Sequence, residues 1–107
     1  MSIVEIHFTI DDREVADHIV SQLLNQRLVA CGQRIGPIVS RYWWQGKQEE
    51  TEEWLVLLKT TDVLAERVVG AVKELHTYDT PDVLIHPASG GNSGYLSWVD
   101  SETKDHV

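Results

Sequence analysis

Strand-like and helix-like hydrophobic patterns follow one another along this chain in an order that few topologies accommodate. Residues 3–10 alternate apolar and polar side chains, which is the two-residue period of a half-buried strand. The segment that ends near Arg27 instead repeats its apolar residues three and four positions apart, as an amphipathic helix does. Asp11 followed by Glu14 predicts a capping box at the start of this helix. The chain therefore begins with a β-α unit.

The middle of the chain predicts a long hairpin. Residues 28–44 have the composition of a strand, and Gly36-Pro37 within it indicates a bend or an edge position. Gln45-Gly46 is typical of a hairpin turn. The chain then returns through the acidic residues 49–53, which we interpret as a solvated edge, into the apolar residues 54–60.

A second helix and a fourth strand complete the pattern. Apolar residues recur at helical spacing over 64–75, with Thr61 or Asp62 as the predicted cap, and residues 83–86 resemble a strand. The order β-α-β-β-α-β predicts an α+β, ferredoxin-like fold, in which two helices cover one face of an antiparallel sheet and an extended β2–β3 hairpin projects from it.

The length of the chain predicts one domain over residues 1–107. We expect a turn in the glycine-rich residues 90–94, and a polar tail that frays after about Asp100.

The predicted third strand has apolar side chains on both faces. Since two helices can cover only one face, a partner subunit is the expected cover for the other. Self-association is therefore predicted, although this pattern does not determine the number of subunits. The residues alternate as Trp54, Val56 and Leu58 on one face against Leu55 and Leu57 on the other.

The composition limits the possible binding partners of the protein and its possible location in the cell. Lys and Arg number 9 against 17 Asp and Glu, so the formal net charge of −8 opposes binding to nucleic acid. The one cysteine, Cys31, has no partner for an intrachain disulfide. The first residues carry no leader-like pattern, and no apolar run has the length of a membrane span. A cytoplasmic protein without a membrane partner is the expectation.

Several short segments stand in a characteristic order and spacing: residues 16–19 (ADHI), 26–31 (QRLVAC), 42–47 (YWWQGK), 59–60 (KT), 74–76 (ELH) and 95–98 (YLSW). Together they span nearly the whole chain and resemble the CutA divalent-cation-tolerance family. The resemblance implies a homotrimer related to the PII signalling proteins, a role in tolerance to copper and other divalent cations, and no established enzymatic reaction. The chain departs from the usual pattern at Gly32-Gln33, where the family has Val-Asn, and at Thr77, where it has proline.

Two side chains have chemistry suited to copper, Cys31 through its thiolate and His76 through its imidazole. Each also has a structural interpretation: Cys31 as a small buried apolar residue, and His76 as a group that caps the second helix. The sequence has no CxxC or HxxxH spacing, so a metal site requires folding or assembly to bring its ligands together.

Three functions are consistent with these residues, and none of them requires catalysis or an organic cofactor. The first is a homotrimeric divalent-cation tolerance protein that binds copper or another divalent metal ion through Cys31 and His76. The second is a PII-like sensor of a small anionic metabolite in clefts between subunits, and the third is a stable trimeric scaffold for another protein. The predicted cleft residues are Lys59, Tyr78 and Trp44, and the predicted trimer interface contains Trp43, Trp44 and Trp54.

Overall fold

A four-stranded antiparallel sheet with the strand order β2-β3-β1-β4 organises the fold, which confirms the predicted ferredoxin-like arrangement. The structure is a computed structural model that describes residues 2–103. Its elements are β1 (Ile3–Ile10), α1 (Arg13–Asn25), β2 (Cys31–Trp44), β3 (Lys47–Thr61), α2 (Ala65–Leu75), β4 (Val83–Pro87) and α3 (Ser93–Glu102).

The hydrophobic core lies between the first face of the sheet and helices α1 and α2. In the β1–β3 pairing, Ile6 lies opposite Leu58 and Phe8 lies opposite Val56, and all four side chains are fully buried. The helices close this layer with residues at helical spacing, as their amphipathic patterns predict. These are Ala16, Ile19 and Leu23 of α1 and Ala65, Val68 and Val72 of α2.

The starts of the two helices differ from the prediction. Asp12, rather than Asp11, caps α1, and its carboxylate accepts hydrogen bonds from the backbone N–H groups of Glu14 and Val15 at 2.9 and 3.2 Å. Helix α2 begins after Leu64 without a side-chain cap. The carboxylate of Asp62 instead accepts a hydrogen bond from the backbone N–H of Ser2.

The β2–β3 hairpin extends well beyond the rest of the sheet. Because β1 pairs with β3 only as far as Trp54, the residues from Lys47 to that point pair with β2 alone. Strand β2 begins at Cys31 rather than at residue 28, lies at the sheet edge, and shifts register between Ile35 and Ile38 at the Gly36-Pro37 bend. The turn at Gln45 and Gly46 has the positive φ angles that a two-residue hairpin turn requires.

Helix α3 is the element that the sequence did not predict. It begins after the expected glycine-rich turn, where the side chain of Asn92 accepts backbone hydrogen bonds from Gly94 and Tyr95. Beyond Asp100, where fraying was expected, the helix continues through Glu102, and the buried Thr103 hydroxyl donates to the carbonyl of Val99 at 2.7 Å. The remainder of the expected tail, residues 104–107, lies outside the described residues.

The second face of the sheet is only partly covered within one subunit. Helix α3 packs against β3 and β1, and places Tyr95 over Cys31 on this face. Ile35 and Leu84, also on this face, remain 46% and 51% exposed. Leu55 and Leu57 of β3 are half-buried, so the exposed apolar side chains of this face lie on β2 and β4 rather than on β3.

Within residues 2–103, no helix combines the length and the apolar character needed to cross a membrane.

Gly32 allows α1 to approach the sheet closely, and this explains one departure from the usual family pattern. A Cβ atom on Gly32 would lie 2.9 Å from a methyl group of Val20 and 3.1 Å from a methyl group of Leu58. We expect Gly32→Ala to lower the free energy of unfolding by about 1–3 kcal/mol through overpacking. Thermal and denaturant unfolding at a fixed protein concentration would measure this change.

Gly70 provides the matched control, because it lies exposed on α2 with open space around the position of its missing Cβ. Gly70→Ala should raise the free energy of unfolding by about 0.5–1 kcal/mol through helix propensity. The double variant Val20→Ala with Gly32→Ala should recover much of the lost stability. Equal effects of the two glycine substitutions would contradict the packing explanation.

Candidate ligand and metal sites

Cys31 lies in a polar cluster at the start of β2, on the second face of the sheet. Its side chain is half-buried, and its Sγ lies 3.6 Å from the hydroxyl of Tyr95 and 3.7 Å from Nε2 of Gln33. The hydrogen bond with Cys31, followed by burial, raises the pKa of Tyr95 to about 12. Cys31 is thus neither a fully buried apolar residue nor a freely exposed thiol.

Lys59 belongs to this same cluster, and its ammonium group interacts with neighbouring side chains there. Its Nζ donates a hydrogen bond to Oε1 of Gln33 at 2.8 Å and lies 3.6 Å from Oε2 of Glu5. Lys59 pairs with Cys31 across the β2–β3 ladder, so it lies beside the start of β2. Within one subunit, the predicted cleft residues therefore do not all come together.

His76 connects the end of α2 to the end of β1. Its ring is buried, and Nε2 donates a hydrogen bond to the carbonyl of Thr9 at 2.7 Å, while Nδ1 accepts one from the backbone N–H of Tyr78 at 3.1 Å. Because both ring nitrogens are occupied, neither has a free lone pair for a metal ion. The ring also packs edge-on against Phe8.

The structure does not bring Cys31 and His76 together. The carbonyl that His76 binds belongs to Thr9, which lies opposite Leu55, whereas Cys31 lies opposite Lys59. Four residues along a strand correspond to about 13 Å. More generally, the part of the chain from residue 2 to residue 103 contains no group of three or more His, Cys, Asp and Glu side chains placed to hold a metal ion.

A cleft of about 650 Å³ lies beside the base of the hairpin and contains two of the predicted ligand residues, Trp44 and Tyr78. Its charge differs from the prediction, because Arg41 is accompanied by three carboxylates. A small anion would be repelled by this lining, whereas a neutral or cationic molecule would not. The carboxylates belong to Glu53, Asp79 and Asp82.

Glu53 is the best-buried charged side chain of the cleft. The hydroxyl of Tyr78 donates to its Oε2 at 2.7 Å. Burial, followed by this hydrogen bond, raises the pKa of Tyr78 well above its usual value. Glu53 belongs to the acidic segment interpreted as a solvated edge, and that interpretation fails at this residue because the segment turns inward where it joins the sheet.

The three tryptophans of the predicted interface lie along the hairpin. Trp43 and Trp44 flank the turn and are largely exposed, at 70% and 54%. Trp54 is half-buried where β3 begins to pair with β1.

Sequence reasoning missed a pair of histidines on the second face. His7 of β1 and His86 of β4 are separated by most of the chain, yet Nδ1 of the first lies 3.0 Å from Nε2 of the second. The alternating pattern of β1 placed His7 away from the core. Only the β1–β4 pairing, which no local spacing reveals, brings His86 beside it.

These features define a ferredoxin-like α+β protein with an extended hairpin and a polar, partly uncovered second sheet face. The family model described as CutA1 divalent ion tolerance protein matches residues 4–102, so the chain belongs to the CutA1 family.

Individual relatives agree with this assignment in sequence and in structure. The divalent-cation tolerance protein CutA of Pyrococcus horikoshii is 38% identical over 99 residues, covering 92% of this chain and 96% of the relative. The chloroplastic protein CutA 1 of Oryza sativa subsp. japonica is 31% identical over 95% of this chain, which spans only 58% of that protein. The structure of the periplasmic divalent cation tolerance protein CutA from Archaeoglobus fulgidus superimposes with a TM-score of 0.92 and 32% identity, covering 95% of this chain and 99% of that one.

The prediction of a cytoplasmic location is wrong on these comparisons. The rice relative is described as chloroplastic and the Archaeoglobus relative as periplasmic. The cysteine content and the pattern of the first residues therefore do not identify the cellular compartment of a protein in this family.

Removal of the Tyr78 hydroxyl should destabilise the protein, because it leaves the buried carboxylate of Glu53 without this hydrogen bond. We expect Tyr78→Phe to lower the free energy of unfolding by about 1–3 kcal/mol. Tyr42→Phe is the matched control: it removes a hydroxyl that bonds Thr51 on the exposed hairpin, and it should change stability by less than about 0.5 kcal/mol.

The contribution of the Tyr78 hydroxyl should also depend on pH. Since the folded protein raises the pKa of this phenol, the contribution is complete below the ordinary tyrosine pKa of about 10 and declines as the pH rises above it. The stability difference between wild type and Tyr78→Phe should therefore narrow in alkaline solution. A difference that widens would contradict this assignment.

Proposed function

We propose that the protein acts as a homotrimer that binds a divalent metal ion, with copper as the leading candidate, and that it is a binding protein rather than an enzyme. The observation that carries this proposal is the second sheet face, which combines uncovered apolar side chains with nitrogen and sulfur groups suited to metals.

The apolar surface supports assembly. Large contiguous exposed apolar areas mark interfaces in soluble proteins. A closed cyclic assembly would also cover the free edges of β2 and β4, which otherwise expose unpaired backbone groups. Three subunits are favoured by the family resemblance, with Trp43, Trp44 and Trp54 at the interface. The exposed apolar residues of the second face and hairpin include Ile35, Val39, Trp43, Trp44, Leu84 and Trp98.

The chemistry of the same face supports metal binding. Thiol and imidazole groups are the ligands that copper prefers among protein side chains. The family is described by tolerance to divalent ions, which fits such a role. Of the two ligands predicted from the sequence, Cys31 has a half-buried sulfur in contact with Tyr95 and Gln33, whereas His76 uses both nitrogens within the subunit.

The alternative of a sensor for a small anionic metabolite is less well supported. Trp44 and Tyr78 share a cleft, but Lys59 lies elsewhere, and carboxylates dominate the lining. The third alternative, a trimeric scaffold that binds no metal, requires only the interface between subunits. The experiment below distinguishes it from a metal-binding trimer.

Native mass spectrometry of the purified protein, with and without added copper, tests the proposal directly. Three subunits of 12.1 kDa give an expected mass of about 36 kDa, with whole numbers of copper ions retained per trimer. A monomer at micromolar concentration would refute the assembly. A trimer that retains no metal would favour the scaffold.

Trp44→Ala should weaken assembly. The side chain is more than half exposed in one subunit, and burial at the centre of an interface would make its loss cost about 2 kcal/mol or more of association free energy. Analytical ultracentrifugation across a dilution series would measure this change. Leu24→Ala is the control, since Leu24 is an exposed apolar residue on α1, in the layer on the other side of the sheet. If both variants dissociate alike, the hairpin is not the interface.

A further inference from the structure

His7 and His86 lie side by side on the second face, on the adjacent strands β1 and β4. His7 pairs with Leu84 in the ladder and His86 pairs with Glu5, so the two histidines are diagonal neighbours. Nδ1 of His7 lies 3.0 Å from Nε2 of His86, and the ring centroids are 4.9 Å apart. The two imidazole nitrogens therefore lie within hydrogen-bond distance of each other, and a bound ion would replace this contact rather than occupy the space between them.

We propose that this pair is a chelating site for a divalent transition-metal ion, specifically Cu²⁺, bound through Nδ1 of His7 and Nε2 of His86. The inference rests on the proposed metal-binding function and names a site for it that contains neither Cys31 nor His76. Imidazole is a common ligand for copper and zinc.

The separation of the two nitrogens is compatible with a shared Cu²⁺ ion once the rings turn their lone pairs toward it. With metal–nitrogen distances of about 2.0–2.1 Å, nitrogens 3.0 Å apart subtend an angle of about 90° at the ion. This is the angle between adjacent ligands in the tetragonal geometry typical of Cu²⁺.

The neighbouring carboxylate of Asp82 favours one tautomer of His7. Oδ1 of Asp82 lies 3.6 Å from Nε2 of His7, which is longer than a hydrogen bond but close enough to favour a proton on that nitrogen. Nδ1 of His7 is then the free acceptor. Carboxylates behind metal-bound histidines orient the ring and select its tautomer in this way.

The same tautomer of His7 determines how the two histidines are protonated when no metal ion is bound. With Nδ1 of His7 as the acceptor, Nε2 of His86 carries a proton and donates it across the 3.0 Å gap. A bound ion takes the place of this proton. His86 remains neutral by carrying its proton on Nδ1 instead, so no proton is released overall and the charge of the ion is added to the site.

The surroundings are accessible and favourable to a cation. The His7 side chain is 22% exposed and His86 is exposed, so water or a ligand from a neighbouring subunit can complete the coordination. The charged groups on this face near the pair are the carboxylates of Asp82 and Glu5 and the ammonium of Lys59, which already lies beside Glu5. Two imidazoles are fewer ligands than a structural metal site has, which suits exchangeable binding.

Calorimetric Cu²⁺ titration at neutral pH tests the site, with wild type, His7→Gln and His86→Gln each first shown to keep the wild-type assembly and melting temperature. Each variant should lose about tenfold or more in affinity. His18→Gln, which alters an exposed histidine on α1, is the control and should bind like wild type. Cys31→Ser is titrated alongside to distinguish this pair from the thiol predicted as a ligand. Electron paramagnetic resonance of the copper-loaded protein should show an axial signal with two nitrogen ligands, reduced to one by His86→Gln.

The outcomes separate this inference from the function on which it rests. If Cys31→Ser abolishes copper binding while His7→Gln and His86→Gln bind normally, the protein binds copper but not at this pair. The inference is then overturned, and the proposed metal-binding function stands. If wild type binds no Cu²⁺, the proposed metal-binding function fails together with it. A spectrum without coordinated nitrogen would also overturn the site.

Discussion

The pairing of β1 with β3 is the interaction on which the rest of the structure depends. With Ile6 opposite Leu58, every even position of β1 joins the core beneath α1 and α2, and every odd position from Glu5 to Thr9 faces the other way. A shift of one residue would exchange the two faces, placing Glu5 and His7 in the core. The apolar packing of one face thus determines which chemical groups the other face presents.

Much of the fold could be predicted from the sequence because its signals are local. Alternation in β1, helical spacing in α1 and α2, and the Gln45-Gly46 turn each depend on neighbouring residues, and the structure confirms the arrangement that they imply. Helix α3 was missed because only one of its residues, Val99, is fully buried, so its apolar pattern is weak.

The sites were less predictable because they depend on contacts between distant residues. The chemistry of His76 was evident from the sequence, but the hydrogen bonds that occupy its ring come from Thr9 and Tyr78, and only folding brings the first of these near. Lys59 was predicted to share a cleft between subunits with Tyr78, and within one subunit the register of β2 with β3 places it beside Gln33. The residue types indicated which chemistry was possible. The register of the strands determined which side chains lie close enough to interact.

The close contact between Gly32 and Val20 has a consequence for how the sequence can change over time. The family resemblance implies valine at position 32, and here the methyl groups of Val20 occupy the space that such a side chain needs. A lineage could therefore acquire a larger residue at position 32 readily only after position 20 had become smaller. The order of the two substitutions matters, and an ancestral path that passes through both large residues together would be selected against.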